Sequence, residues 1–245
     1  MNYFKIYIKS YIIIYIIVIA SLLTGSCTEI LFSDDEQVKT FTPGKFNAIV
    51  IDGTFDIKLV QDSADLIILN GSNSMSKTEV SVLNDTLMIT DRSGFNPEPG
   101  RNKLEIHFTG ISFLETRKSV NVTNYPAIKG TSFAWNALGE IVESSLDLDL
   151  GVFIFCTSAN TLGLVNLQGK AETLIVFNRY GNRVSAGNLL CKNADIANES
   201  AGYVYVNASE TLVAYLLGNG NIYYYGDPAI SINEKKGLGN LIRMN

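Results

Sequence analysis

A chain of 245 residues with a net charge of −5 is long enough to bury one large core, and it lacks the basic excess that nucleic-acid binding requires. Its 47% hydrophobic and 18% charged residues exclude a disordered tail at one extreme and a multi-span membrane protein at the other. Twenty glycines against five prolines predict many tight turns between short strands.

The first element is a targeting segment, residues 1–26. Lys5 and Lys9 precede an uncharged, mostly apolar run over 11–23. That is shorter than the roughly 18 to 20 apolar residues a membrane-spanning helix needs, so it reads as a signal-peptide core. Thr24, Gly25 and Ser26 then lead into Cys27, the pattern of a bacterial lipobox whose thiol is acylated. A cleaved signal peptide with an incidental cysteine and an uncleaved anchor are the alternatives, and all three take the protein out of the cytoplasm. Residues 27–44 are polar and acidic, with Asp34, Asp35 and Glu36 adjacent, and predict a flexible tether.

From Lys45 to the C-terminus alternation dominates. Phe55, Ile57 and Leu59 alternate with Asp56, Lys58 and Val60; Leu104, Ile106 and Phe108 with Lys103, Glu105 and His107; Leu146, Leu148 and Leu150 with Asp147 and Asp149. Period two bounded by Gly, Asn and Ser marks half-buried strands, and no sustained helical period follows the signal segment. A longer period lies over this one. Val165, Val184, Val204, Ile222 and Leu241 recur at intervals of 19, 20, 18 and 19. A second series, Phe155, Leu174, Ala194, Leu212 and Ile230, runs at 19, 20, 18 and 18. A repeat of this length with two short strands is the mark of a β-solenoid, in which stacked rungs share a core that no rung could bury alone. Cys156 and Cys191 fall nearly two rungs apart, about 9 to 10 Å, too far for a disulfide; both are expected to be free core or turn residues.

Two stretches, 46–90 and 194–244, and above all the Gly-x-Gly-x-Ile-x-Tyr-x-Gly-x-Pro run at 218–228, resemble the head-GIN-domain family of putative auto-transporter adhesins, common in Bacteroidetes lipoproteins. The resemblance implies an all-β, right-handed, single-stranded parallel β-helix over 45–245, sometimes capped by an antiparallel portion. No barrel-like segment follows Asn245, so no translocator of its own is expected.

The candidate sites are few. Without a nucleophile elbow, a phosphate loop or a clustered metal set, no catalytic residue, cofactor or metal is expected. The single histidine, His107, reads as a solvated surface group beside Glu105. Asp147 and Asp149 share one strand face about 6.5 to 7 Å apart; they are either outward solvated charges or the acidic face of a β-helix polysaccharide lyase or hydrolase. Tyr203, Tyr205, Tyr223 and Tyr225 align on adjacent rungs, forming either a stabilising aromatic ladder or a platform for a sugar ring or protein partner. The expectation is a non-catalytic envelope lipoprotein of the outer membrane, periplasmic or surface-exposed. It would be held to the membrane by its N-terminal lipid, and its role would be binding, scaffolding or purely structural.

Overall fold

The computed structural model describes residues 37–71, 77–92, 102–158 and 161–245. The signal peptide expected over 1–26, Cys27 and the acidic trio at 34–36 lie outside the described residues. Within the stretch read as tether, Gln37–Phe41 forms a first strand, β1.

The strands that follow build a capped start. They are β2 (Ala48–Asp52), β3 (Phe55–Gln61), β4 (Leu66–Gly71), β5 (Thr78–Leu83), β6 (Thr86–Asp91), β7 (Asn102–Phe108), β8 (Phe113–Thr116) and β9 (Val120–Asn124). Strand β2 lies parallel between β6 and β8, and β3 parallel between β7 and β9. The chain therefore enters in the second layer, lays β6 and β7 on one side of it, then returns to the other side with β8 and β9. The outer edges of β6 and β7 are covered antiparallel by β5 and β4, and β4 in turn by β1. These antiparallel strands blunt an edge that would otherwise present unpaired backbone groups.

The remaining strands stack in chain order as a parallel β-solenoid: β10 (Ile128–Ala137), β11 (Glu143–Thr157), β12 (Leu164–Tyr180), β13 (Arg183–Ser200), β14 (Val204–Leu216), β15 (Ile222–Tyr225), β16 (Ala229–Lys235) and β17 (Leu241–Arg243). Each long strand supplies two segments to its rung, since β15 pairs with the first half of β14 and β16 with the second. In β12 the bend between segments includes Gly169 at φ +99°, where an added Cβ would run into the Leu148 carbonyl oxygen. Only glycine fits that approach without strain.

The first predicted column is reproduced residue for residue: Val165, Val184, Val204, Ile222 and Leu241 are register partners along the stack. In the second, Leu174, Ala194, Leu212 and Ile230 hold, but the partner of Leu174 is Phe153 and that of Phe155 is Val176. The rung there is longer than the repeat suggests by one full period of the pleat. The solenoid also tapers. Two inward columns run Phe133, Phe153, Leu174, Ala194, Leu212 and Trp135, Phe155, Val176, Ile196, Ala214, all buried. The large rings sit where rungs are long and the small side chains where rungs shorten toward the C-terminal end, as between Leu212 and Ile230. The core thus stays filled as its cross-section falls.

The corner after the second segment is polar and buried. Asn178 donates to the Asn198 side-chain oxygen (2.9 Å) and the Asn182 carbonyl (3.0 Å), and Asn198 donates to the carbonyls of Gly202 (3.0 Å) and Gly220 (2.9 Å). These side chains tie successive turns together where the sheet ladder is interrupted.

The cysteines Cys156 and Cys191 are free. Cys191 is buried; Cys156, expected in the core or a turn, instead points outward and is half-buried, because it alternates with the inward Phe155 and Thr157.

Candidate functional site: a tyrosine-lined groove

The outward side of the first segments (143–150, 164–171, 183–191, 204–208 and β15) forms one face of the solenoid. In register across it run Ser145, Asn166, Ser185, Tyr205 and Tyr223, and beside them Asp147, Gln168 and Asn188. Hydroxyls and amides thus give way to rings at the C-terminal end.

There Val204 and Ile222 are buried inward, which turns Tyr205 and Tyr223 outward. Their rings stack with centroids 4.8 Å apart and an interplanar angle of 19°. Tyr225 stacks on Tyr205 at 6.4 Å, and Tyr203 meets it edge-on at 5.1 Å. The four predicted tyrosines therefore form one cluster, and each is half-buried by its neighbours rather than fully exposed. Asn221 donates to the Tyr223 hydroxyl at 3.0 Å and holds that ring in place.

A groove of about 500 Å³ opens beside the cluster, lined by Ser185, Gly187, Asn188, Tyr205, Asn207 and Tyr225. Gly187 lets Tyr225 settle low over the neighbouring rungs, since a Cβ there would lie 3.0 Å from the Tyr225 ring. Burial, and then the adjoining phenols, push the Tyr205 hydroxyl above its ordinary pKa. It stays protonated at neutral pH and can donate a hydrogen bond. The groove thus presents aromatic faces on one side with hydroxyl and amide groups on the other, the combination that receives a sugar ring.

The acidic pair, expected as solvated charges or an acidic enzyme face, is engaged by neighbouring side chains. The longer rung sets Lys170 against Asp149, with Nζ 3.3 Å from the carboxylate. Gln168 stands against Asp147 and donates to it at 3.4 Å. Both carboxylates are thus engaged along the ladder.

His107 is not freely solvated. Its Nδ1 lies 3.2 Å from Asp62 and its Nε2 2.8 Å from Glu105, which Lys58 also binds at 3.1 Å. Hydrogen bonds from the Ser63 backbone and from His107 hold the Asp62 carboxyl below its usual pKa. Asp62 arrives from the turn after β3, a contact invisible in the period-two pattern that placed Glu105. Among the described residues no group of three His, Cys, Asp or Glu is placed to hold a metal ion.

Residues 45–228 match the family model described as "Putative auto-transporter adhesin, head GIN domain". A putative adhesin from Bacteroides fragilis NCTC 9343 shares the fold with a TM-score of 0.78 at 19% identity, covering 86% of this chain and 98% of its own. A putative adhesin from Parabacteroides merdae ATCC 43184 aligns with a TM-score of 0.60 at 18% identity over 87% and 98% of the two chains. A putative lipid binding protein from Parabacteroides distasonis ATCC 8503 aligns with a TM-score of 0.64 at 17% identity over 87% and 98%. No curated protein matches the chain.

Proposed function

The chain belongs to the head GIN domain family of putative auto-transporter adhesins, and from that premise we propose that it is a non-catalytic envelope lipoprotein that binds carbohydrate on its tyrosine face. The observation that carries this reading is the groove in which Tyr205 and Tyr225 stand across from Ser185, Asn188 and Asn207. A sugar ring stacks its C–H face on the phenol rings while its hydroxyls exchange hydrogen bonds with the amides. The outward polar columns through Ser145, Asn166, Gln168 and Asn188 extend this surface along the axis, so a chain of several sugars has partners beyond the first ring. The family's adhesin label points to the cell envelope, and the lipobox at Cys27 supplies the attachment.

The test is a screen of full-length protein against neutral and acidic glycans, followed by titration of the best binder into the double variant Tyr205→Ala/Tyr223→Ala. Loss of two stacked rings is expected to weaken binding by about tenfold or more. Unchanged affinity in a variant that melts like the parent would overturn the tyrosine site. In bacterial cells expressing the full chain, Cys27→Ser is expected to release the protein from the membrane fraction, and continued retention there would sink the lipid anchor.

A further inference from the structure

The opposite chemistry occupies the outward side of the second segments (152–157, 173–180, 193–200, 211–216 and β16). One column runs Cys156, Phe177, Ala197 and Tyr215 in register. The next runs Ile154, Ile175, Asp195 and Val213. Where Tyr205 and Tyr223 on adjacent rungs stack at 4.8 Å, Phe177 and Tyr215 are separated by the rung that carries Ala197. Two rung spacings place their side chains roughly 9.5 Å apart, the separation at which one further planar group fits between two rings. A groove of about 290 Å³ occupies this place, lined by Phe177, Ala197 and Tyr215 together with Asp195, Arg179 and Glu199. The Tyr215 wall is fixed, since Asn233 donates to its hydroxyl at 3.0 Å.

The charge in this slot is unbalanced. Arg179 pairs with Glu199 at 3.2 Å, which leaves Asp195 between Ile175 and Val213 with no side-chain hydrogen bond or ion pair among the described residues. Desolvation by these apolar neighbours raises its pKa. The site therefore offers two aromatic walls, a small floor and one unpaired carboxylate, with a net charge of −1 from Asp195, Glu199 and Arg179.

We propose that this slot receives an arginine side chain of a protein partner, its guanidinium stacked between Phe177 and Tyr215 and hydrogen-bonded to Asp195. A guanidinium is planar, so it fits the gap in the ladder. It is cationic and weakly hydrated, so it stacks on aromatic rings and compensates the carboxylate at once. An ammonium fits neither wall as well, and a neutral ring leaves Asp195 uncompensated. The site is on a different face from the tyrosine groove and does not depend on it.

The test is an NMR titration of isotope-labelled full-length protein with N-acetyl-arginine methylamide, N-acetyl-lysine methylamide and N-acetyl-phenylalanine methylamide. Saturable shifts confined to Phe177, Asp195, Ala197 and Tyr215 are expected with the arginine probe. Asp195→Asn, nearly the same shape, should weaken that binding by about tenfold or more, as for loss of a charge-assisted hydrogen bond. Ala197→Phe should abolish it by filling the gap, with a melting curve to confirm folding. Equal binding of the lysine probe, equal binding of the phenylalanine probe, or an unaffected Asp195→Asn variant would each overturn the proposal, as would the absence of shifts with the arginine probe.

Discussion

At the scale of single residues, Asp195 shows how a position that interrupts an apolar column affects stability. Its carboxyl is held by burial above the ordinary aspartate pKa in the folded chain, whereas it ionises at the ordinary value when unfolded. The sign follows from linkage: folding favours the protonated acid, so the penalty is absent below the unfolded pKa. It grows as pH rises toward the folded pKa and is constant above it. Asp195→Asn removes the charge at every pH. It is therefore expected to raise the melting temperature at pH 7 and to leave it unchanged near pH 3. Thermal melts of parent and variant at the two pH values check this, and a variant destabilised at pH 7 would show that the carboxylate has a partner in the folded state. Cys191 illustrates the same physics without consequence for folding. Burial pushes its thiol up to about 12, and it donates to the Asn207 carbonyl at 3.0 Å, so it remains a neutral thiol in the core.

At the scale of elements, the rung is the unit that the sequence discloses, and it does so unevenly. The column from Val165 to Leu241 is legible because each anchor sits at the same offset from a turn of Gly, Asn or Ser, where rung length is nearly constant. Phe155 falls one alternation out of place because the rung from β11 to β12 is longer than its neighbours, room taken up by the aromatic core of Trp135, Phe133, Phe153 and Phe155. A shift by one full pleat period keeps a side chain on the same face, so period two does not reveal the slip. The same longer rung sets Lys170 against Asp149, where a period of 19 points to Gln168. The tyrosine cluster is legible because its rungs are regular, whereas the groove beside it depends on Gly187, and the ladder gap at Ala197 on what is missing between Phe177 and Tyr215. Neither absence leaves a mark on a hydrophobicity pattern. Packing of the wide rungs is testable through Phe155→Ala. The ring is fully buried with its centroid 5.1 Å from that of Trp135. Truncation leaves a cavity in a core that resists collapse, because Trp135 is fixed by its indole N–H donating to Thr116 at 3.1 Å. A loss of about 3 to 5 kcal/mol is expected in chemical denaturation, and a loss under about 1 kcal/mol would mean that the core repacks around the gap.

For the whole molecule, the two ends of the stack are built differently, and this asymmetry governs where the fold opens. At the N-terminal end β1, β4 and β5 cover the outer layer antiparallel. At the other end β16 and β17 each pair with one neighbour among the described residues, β14 and β15, and Ile230 and Ile232, which continue the inward columns of Leu212 and Ala214, are exposed. In a solenoid each rung is stabilised chiefly by the rungs that touch it, so a terminal rung with a single neighbour opens at the lowest free energy. The central rungs β12 and β13 are paired on both sides along nearly their whole length. Amide hydrogen exchange on full-length protein is therefore expected to be fastest in β16 and β17 and slowest in β12 and β13, with β2 and β3 protected by their cap despite lying near the start of the fold. Both proposed sites sit between these extremes: Tyr223 and Tyr225 lie one rung from the open end and Phe177 well inside the stack. In the arginine slot the Phe177 wall then keeps its geometry when the last rung frays, whereas the Tyr215 hydroxyl loses its Asn233 partner in β16, and the tyrosine groove tightens only when that rung is held. Carbohydrate binding should accordingly slow exchange in β15 and β17 and leave β10 unchanged. Protection in β16 equal to that in β13 without any ligand would instead mean that the open edge is covered in solution.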